Sequence, residues 1–295
     1  MPEPTVAILG TGRMGSAMAE RLASLGMAVI VYNRTPDRAV VLAERIGARA
    51  VPTPAEAAAR ADVIISMVAD DAAVQALFDG PEGIAAGIRA DGVAIDMSTV
   101  LPATIRSVAA GVQATGAGIL DSPVSGSVGS TLAGELTIMV GGSVADLERA
   151  RPVLDRLAKR VVHVGPLGTG AAMKLAVNTL IYGLNGALAE GLVLAERNGI
   201  DRALAYDVFS ASAAGAPFVT YKRAAFVDPE VTPVAFSLAL AEKDLRLIED
   251  LARTSDTAMP QATLNLERIR ATARSAGGDA DFSMVASHLR EEGRR

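Results

Sequence analysis

Lys174 and Asn178 stand one helical turn apart in the stretch GPLGTGAAMKLAVN, residues 165–178. Residues at i and i+4 share a helix face, so an amine and an amide are directed at one spot. That pair suits polarising a carbonyl or taking a proton from an alcohol. Lysine is scarce in this chain. Lys159, Lys174, Lys222 and Lys243 are its only ones, and arginine supplies the other fixed cations. Lysine, unlike arginine, can shift its pKa and exchange protons when buried. A surface lysine near a helix start would be spelled the same way, so the neighbouring segments decide between the two.

A second constellation lies near the N-terminus. Gly10, Gly12 and Gly15, with Arg13 and Met14 between them, make G-x-G-x-x-G after the apolar run TVAIL. The first two glycines permit a tight turn and close backbone approach to a pyrophosphate. The third lets the helix pack on the sheet, with its N-terminus facing the phosphates. The loop follows a strand, opens a helix and leads to a second strand, AVIVY, which is the context the motif needs. After that strand come Asn33, Arg34 and Thr35, where NAD-binding units usually carry a carboxylate. Nothing there repels a 2′-phosphate, Arg34 can bind one and Thr35 can donate to it. NADP(H) is therefore expected in preference to NAD(H), with Arg38 a weaker candidate for the same phosphate.

A third constellation is DSPVSGS, residues 121–127. Ser122, Ser125, Gly126 and Ser127 gather hydroxyls and backbone amides in one turn, which can hold a small carboxylate without a metal. A polar loop with helix caps is the plainer alternative.

These residues need elements to position them. Strands are expected at 5–9, 28–32, 62–68, 93–96, 118–121, 136–140 and 160–164, with helices at 36–46, 71–77, 102–114 and 144–158 between them. Such alternation implies a doubly wound parallel sheet, with ligands at the carboxyl ends of its strands. Met67, Val68 and Thr99 fall at such ends. Met67 and Val68 are candidates for the nicotinamide side, and Thr99 for a ligand contact or a helix N-cap. From Gly168 onward no strand is expected. Residues 169–198 read as one helix, roughly 40 Å long at 1.5 Å per residue, carrying a small-residue stripe at Gly183, Ala187 and Gly191 that suits close approach of another helix. Further helices are expected at 202–211, 217–225, 235–253 and 261–274. The fold class is thus α/β: an N-terminal Rossmann-type sheet domain, 1–164, then an all-α domain, 165–295, entered through a long interdomain helix.

Composition narrows the function. The chain has 295 residues, 50% hydrophobic, with a formal net charge of -5 and 3% aromatics. That balance argues against a nucleic-acid surface, which wants basic stripes and stacking platforms. Two distant histidines and no cysteine cannot build a typical zinc site, so no metal is expected. His163 reads as structural, and His288 receives no role. Lys174, Asn178, Asn185 and Glu190 interrupt the most apolar stretch, which fits a buried helix better than a membrane span. With no recognisable signal peptide, a cytoplasmic protein is expected.

Together these motifs resemble the β-hydroxyacid dehydrogenase family. The resemblance covers nearly the whole chain and rests on four motifs in order: the loop from Gly10 to Gly15 with Met18-Ala19, DSPVSGS with AGELTIMVGG, GTGAAMKLAVN, and the KDL at Lys243–Leu245. It implies that Lys174 is the catalytic lysine, a general acid in carbonyl reduction and a general base in alcohol oxidation. Asn178 would orient the substrate, while Ser125 and Gly126 would bind its carboxylate. Thr99 would lie near the nicotinamide, and Lys243 near cofactor and substrate. It also implies a small carboxylate substrate and a homodimer or homotetramer built around the long helix. Ser127 departs from the usual second glycine, and 210–226 lacks a tryptophan that many members carry, with Phe218 or Tyr221 as substitutes. The rival readings are an imine reductase, a decarboxylating 6-phosphogluconate dehydrogenase and a non-catalytic NADPH-binding protein.

Overall fold

The computed structural model describes residues 3–293, which divide into two compact units, one ending at Lys174 and the other beginning at Leu175. In the first unit the chain runs β1 (Val6–Leu9), α1 (Arg13–Ser24), β2 (Val29–Tyr32), α2 (Pro36–Ile46), β3 (Arg49–Ala50), α3 (Pro54–Arg60), β4 (Val63–Ser66), α4 (Asp71–Phe78), α5 (Ile84–Gly87) and β5 (Val93–Asp96). It continues through α6 (Pro102–Gln113), β6 (Gly118–Asp121), β7 (Val124–Ser125), α7 (Val128–Ala133), β8 (Leu136–Gly142), α8 (Val144–Leu157) and β9 (Ala158–Gly165). Helix α9 (Thr169–Arg197) spans the boundary. The second unit holds α10 (Arg202–Ala211), α11 (Pro217–Val227), α12 (Leu238–Thr254), α13 (Pro260–Ala276), a 3-10 turn at Phe282–Met284 and α14 (Val285–Glu292).

The sheet order is β3-β2-β1-β4-β5-β6-β8-β7, with β9 also paired to β8. Neighbours from β3 to β6 are parallel. Strands β1, β4 and β5 are buried throughout, as strands covered on both faces must be. Val6 and Ile8 of β1 join one core with Met18 and Leu22 of α1; Ala7 and Leu9 join the other with Ala57 of α3 and Ile105 of α6. Order reverses about β1, so the crevice at its carboxyl end is the topological switch point where such sheets bind ligands.

The sheet departs from an all-parallel expectation at its far edge. β8 runs antiparallel to β6 and β7 and parallel to β9. Residues 122–135 supply only β7 and the short α7 between β6 and β8, without the longer helix that usually carries the crossover to a parallel strand. The strand expected at 62–68 stops at Ser66, and the Val68 amide beyond it goes to the Ser98 hydroxyl instead of a strand partner. The helix expected from Ala235 begins at Leu238: Ser237 caps it by accepting from Leu240 N, and the amides of Ala235 and Phe236 go to Asp281 instead.

By length and composition α9 could cross a membrane. Its buried asparagines nonetheless bond to protein, although Asn185 Oδ1 has no partner among the described residues. Asn178 bonds to Asp244, and Asn185 donates to the Phe282 carbonyl at 3.2 Å, as in a helix packed in a protein core. The small-residue stripe on α9 does not face one neighbour: Gly191 lies over Phe209 of α10, whereas Gly183 looks into open space.

Candidate active site

The glycine loop closes the crevice at the end of β1. Gly10 has φ +103°, and a Cβ there would collide with the Met67 carbonyl oxygen; one on Gly15 would strike the carbonyl of Gly10. These clashes are why the turn needs glycine. Gly12, exposed at the N-cap of α1, supplies no side-chain cap, so the first-turn amides of α1 suit an anion. The Thr11 hydroxyl is buried without a partner among the described residues. An uncapped helix start and an orphaned hydroxyl on one tight loop fit a dinucleotide pyrophosphate. Arg13 is exposed and Met14 half-buried on the first turn.

Asn33 holds the loop from the side. Its Oδ1 accepts from Thr11 N at 3.1 Å and its Nδ2 donates to the Thr35 carbonyl at 3.0 Å. Arg34 and Thr35 are exposed beside it. Met67 and Val68, both half-buried, sit just past β4, and half-buried Thr99 lies three residues past β5.

The second loop is brought beside the first. α7 packs on α1, with the Thr131 hydroxyl 3.8 Å from Met14 Sδ. Ser125 is half-buried in β7, and its hydroxyl makes no hydrogen bond among the described residues. Gly126 has φ +147° and would drive a Cβ into Leu136, so this position also requires glycine. Ser127 caps α7: its Oγ accepts from Ser130 N at 3.2 Å and lies 3.2 Å from Ser130 Oγ. The hydroxyl that replaces the second glycine is therefore turned to its own helix. The Ser122 hydroxyl, at the end of β6, is buried and unpartnered among the described residues.

Asp121, which sequence reasoning gave no role, seats the start of α9. Its Oδ1 accepts from Gly168 N at 2.8 Å and its Oδ2 from Ala171 N at 2.7 Å, satisfying amides that a helix start leaves open. Burial raises its carboxyl pKa against the pull of these donors. A Cβ on Gly170 would meet the Asp121 and Met139 carbonyls, so the helix can approach this closely only without one. Asp121 thereby fixes the turn that leads into Lys174, which is half-buried.

In the second unit, Asn178 is buried and donates from Nδ2 to Asp244 Oδ2 at 2.8 Å. The Tyr182 hydroxyl donates to the same oxygen at 2.8 Å, and Lys243 Nζ lies 2.9 Å from Asp244 Oδ1. Burial and the Asp244 charge push the Tyr182 phenol pKa well up, so it stays a neutral donor. The structure therefore joins Asn178 and Lys243 through Asp244, whose place inside the KDL was the only signal in the sequence. Phe218 is buried and Tyr221 exposed, their rings edge to face at 5.5 Å. His163 is exposed, with Nε2 2.9 Å from the Gly142 carbonyl oxygen. Among the described residues no cluster of His, Asp or Glu could hold a metal.

Comparison with known proteins shows the family. Residues 5–165 match the family model for the NAD binding domain of 6-phosphogluconate dehydrogenase, and 168–289 that for the NAD-binding of NADP-dependent 3-hydroxyisobutyrate dehydrogenase. The chain is 33% identical to 3-hydroxyisobutyrate dehydrogenase of Pseudomonas aeruginosa, covering 95% of this chain and 96% of that one. It is 33% identical to glyoxylate/succinic semialdehyde reductase 2 of Arabidopsis thaliana, covering 97% and 79%. The structure of 3-hydroxyisobutyrate dehydrogenase of Mycobacterium tuberculosis with L-serine superposes with a TM-score of 0.85 at 31% identity, over 97% and 99% of the two chains. An imine reductase of Myxococcus stipitatus, at 21% identity and a TM-score of 0.64, shares the fold alone. The chain belongs to the β-hydroxyacid dehydrogenase family of NAD(P)-dependent oxidoreductases.

Proposed function

We propose that the protein transfers hydride between NADP(H) and a small β-hydroxyacid or its semialdehyde acid, of the 3-hydroxyisobutyrate type. The observation that carries the reading is Asn178. Its amide nitrogen is committed to Asp244, so its Oδ1 is the group left to accept, one helical turn from Lys174. An acceptor there can hold an ammonium or a substrate hydroxyl in register.

The bound nicotinamide supplies or takes the hydride. Gly10, Gly12, Arg13, Met14 and Gly15 hold the dinucleotide, with Asn33, Met67, Val68, Thr99 and Lys243 as further contacts. Exposed Arg34 and Thr35 face a 2′-phosphate with no carboxylate to oppose it, which favours NADP(H). Ser125 and Gly126 bind the substrate carboxylate through the free hydroxyl and backbone, with Ser127 shaping the loop. Lys174 gives a proton to the carbonyl oxygen in reduction and removes it from the hydroxyl in oxidation.

The candidate acids are 3-hydroxyisobutyrate, tartronate semialdehyde, succinic semialdehyde and glyoxylate. Residues 1–164 act as the dinucleotide domain, and 165–295 as the substrate and dimerisation domain. Leu180 and Leu194 of α9 are 68% and 66% exposed and flank exposed Ala187 at seven-residue spacing. That apolar stripe supports a homodimer or homotetramer, which sedimentation of the wild type against Leu180→Glu checks. A cytoplasmic setting suits a chain without cysteine, and localisation of a tagged chain in its own cells tests it.

The test of function follows absorbance at 340 nm with NADPH or NADH and the candidate acids, then imines. Turnover of one acid pair supports the proposal. NADPH binding with turnover of imines alone, or of nothing, overturns it.

A further inference from the structure

A cluster at the carboxyl ends of β4 and β5 has no part in the hydride-transfer reading. Asp96 ends β5 and is buried. Its Oδ1 accepts from the Ser66 hydroxyl at 2.6 Å and the Ser98 hydroxyl at 2.9 Å, and its Oδ2 accepts from Ser98 N at 3.2 Å. Ser98 Oγ in turn accepts from Val68 N at 3.0 Å. A hydroxyl that gives its hydrogen to a carboxylate has its lone pairs fixed in direction, so Asp96 decides how Ser98 receives the Val68 amide. That amide lies beyond the last residue of β4.

The same segment touches the glycine loop, since the Met67 carbonyl stands where a Cβ on Gly10 would fall. The end of β6 is tied in as well, with Ser122 N donating to the Asp96 carbonyl oxygen at 2.6 Å. A displacement of residues 67–68 would therefore reach the turn that holds the pyrophosphate. Burial pushes the Asp96 carboxyl pKa up to about 6 against the pull of the Ser66 and Ser98 donors. A buried, desolvated carboxylate at the binding edge of a sheet points to a task there.

We propose that Asp96 is a positioning residue of the dinucleotide crevice, holding the Val68 amide through Ser98 and so setting the 67–68 strand end for the cofactor. The inference rests on Met67 and Val68 as cofactor contacts. Its test is the Kd for NADPH, measured by fluorescence titration, in wild type, Asp96→Asn, Ser98→Ala, Ser66→Ala and Val68→Ala, with the thermal midpoint of each.

Losing one hydrogen bond of this kind corresponds to about a tenfold change in Kd. Ser98→Ala and Asp96→Asn are expected to raise Kd about that much, with a smaller change in kcat at saturating cofactor. Ser66→Ala, which also loses a bond to Asp96 but leaves the link to Val68, is expected to stay within about twofold. A wild-type Kd in Ser98→Ala alongside a raised Kd in Val68→Ala overturns the inference. So does an equal rise in Ser66→Ala and Ser98→Ala, which would mark general loosening. If neither Val68→Ala nor Ser98→Ala moves Kd, the strand end is not a cofactor contact, and both that reading and this inference fall.

Discussion

Asn178 Nδ2 donates to Asp244 Oδ2 across 2.8 Å, and Asp244 accepts from the Tyr182 hydroxyl at the same oxygen. The orientation of the Asn178 amide follows from this arrangement, because a carboxylate can only accept. On the proposed mechanism Asp244 would act through Asn178 rather than on the substrate.

Asp244→Asn replaces the carboxylate with a group that can also donate, so the Asn178 amide loses its fixed sense. A hydrogen bond to a charged group contributes about 1.5–3 kcal/mol, so kcat should fall roughly ten- to hundredfold. Circular dichroism should report an intact helical unit. Wild-type kcat in this variant would show that Asn178 is oriented by something else.

Arg34 is expected to discriminate the cofactors. Arg34→Ala should raise KM for NADPH roughly ten- to hundredfold, the loss of one charge-assisted phosphate contact, and leave KM for NADH within about twofold. Equal changes for both cofactors would place the 2′-phosphate elsewhere.

The sequence made much of this legible where backbone geometry dictates residue type. Gly10, Gly15 and Gly126 stand where a Cβ cannot, and no other residue could replace them unnoticed. Strands β1, β4 and β5 read clearly because burial on both faces demands continuous apolar runs. The two-residue β3, the short α3 and the antiparallel direction of β8 are not legible, since pairing depends on edges supplied by distant chain. Asp121 and Asp244 were missed as partners for the same reason. Their ligands lie 47 to 66 residues away, and a lone aspartate carries no pattern that announces them. Ser127, which stands where the family usually has a second glycine, places its hydroxyl at the cap of its own short helix, a contact its position in the motif does not announce.

The second unit contains a buried ion pair open to a stability test. Lys222 Nζ lies 2.7 and 2.9 Å from the two Asp281 oxygens. Burial alone would raise the Asp281 carboxyl pKa, but the Lys222 charge and the hydrogen bonds outweigh it and hold the group below its ordinary value. A depressed carboxylate contributes stability above its unfolded pKa and loses it as pH falls through the folded one. Lys222→Met leaves a buried charge without its partner and should destabilise by about 3–5 kcal/mol at pH 7, less in strong acid. A denaturant midpoint unchanged at pH 7 would contradict this.

Asp96 predicts the opposite pH dependence. Its carboxyl pKa rises from 3.8 to about 6 through burial, so the folded chain binds this proton more tightly than the unfolded one. Its contribution to stability is therefore greatest in acid and declines as pH rises through that window, by about 3 kcal/mol in all. The stability of wild type relative to Asp96→Asn should fall from about pH 4 to about pH 6 and then level. A difference that stays constant across the window would mean that Asp96 does not titrate there.

The central claim is that Lys174 handles the substrate proton. Its most direct test is Lys174→Ala, assayed at 340 nm with the best acid pair beside a titration of NADPH binding. General acid–base catalysis contributes about 10²–10⁴-fold, so kcat should fall by that range while the Kd for NADPH stays near the wild-type value. Retained turnover in Lys174→Ala would contradict the account and move the proton to another group.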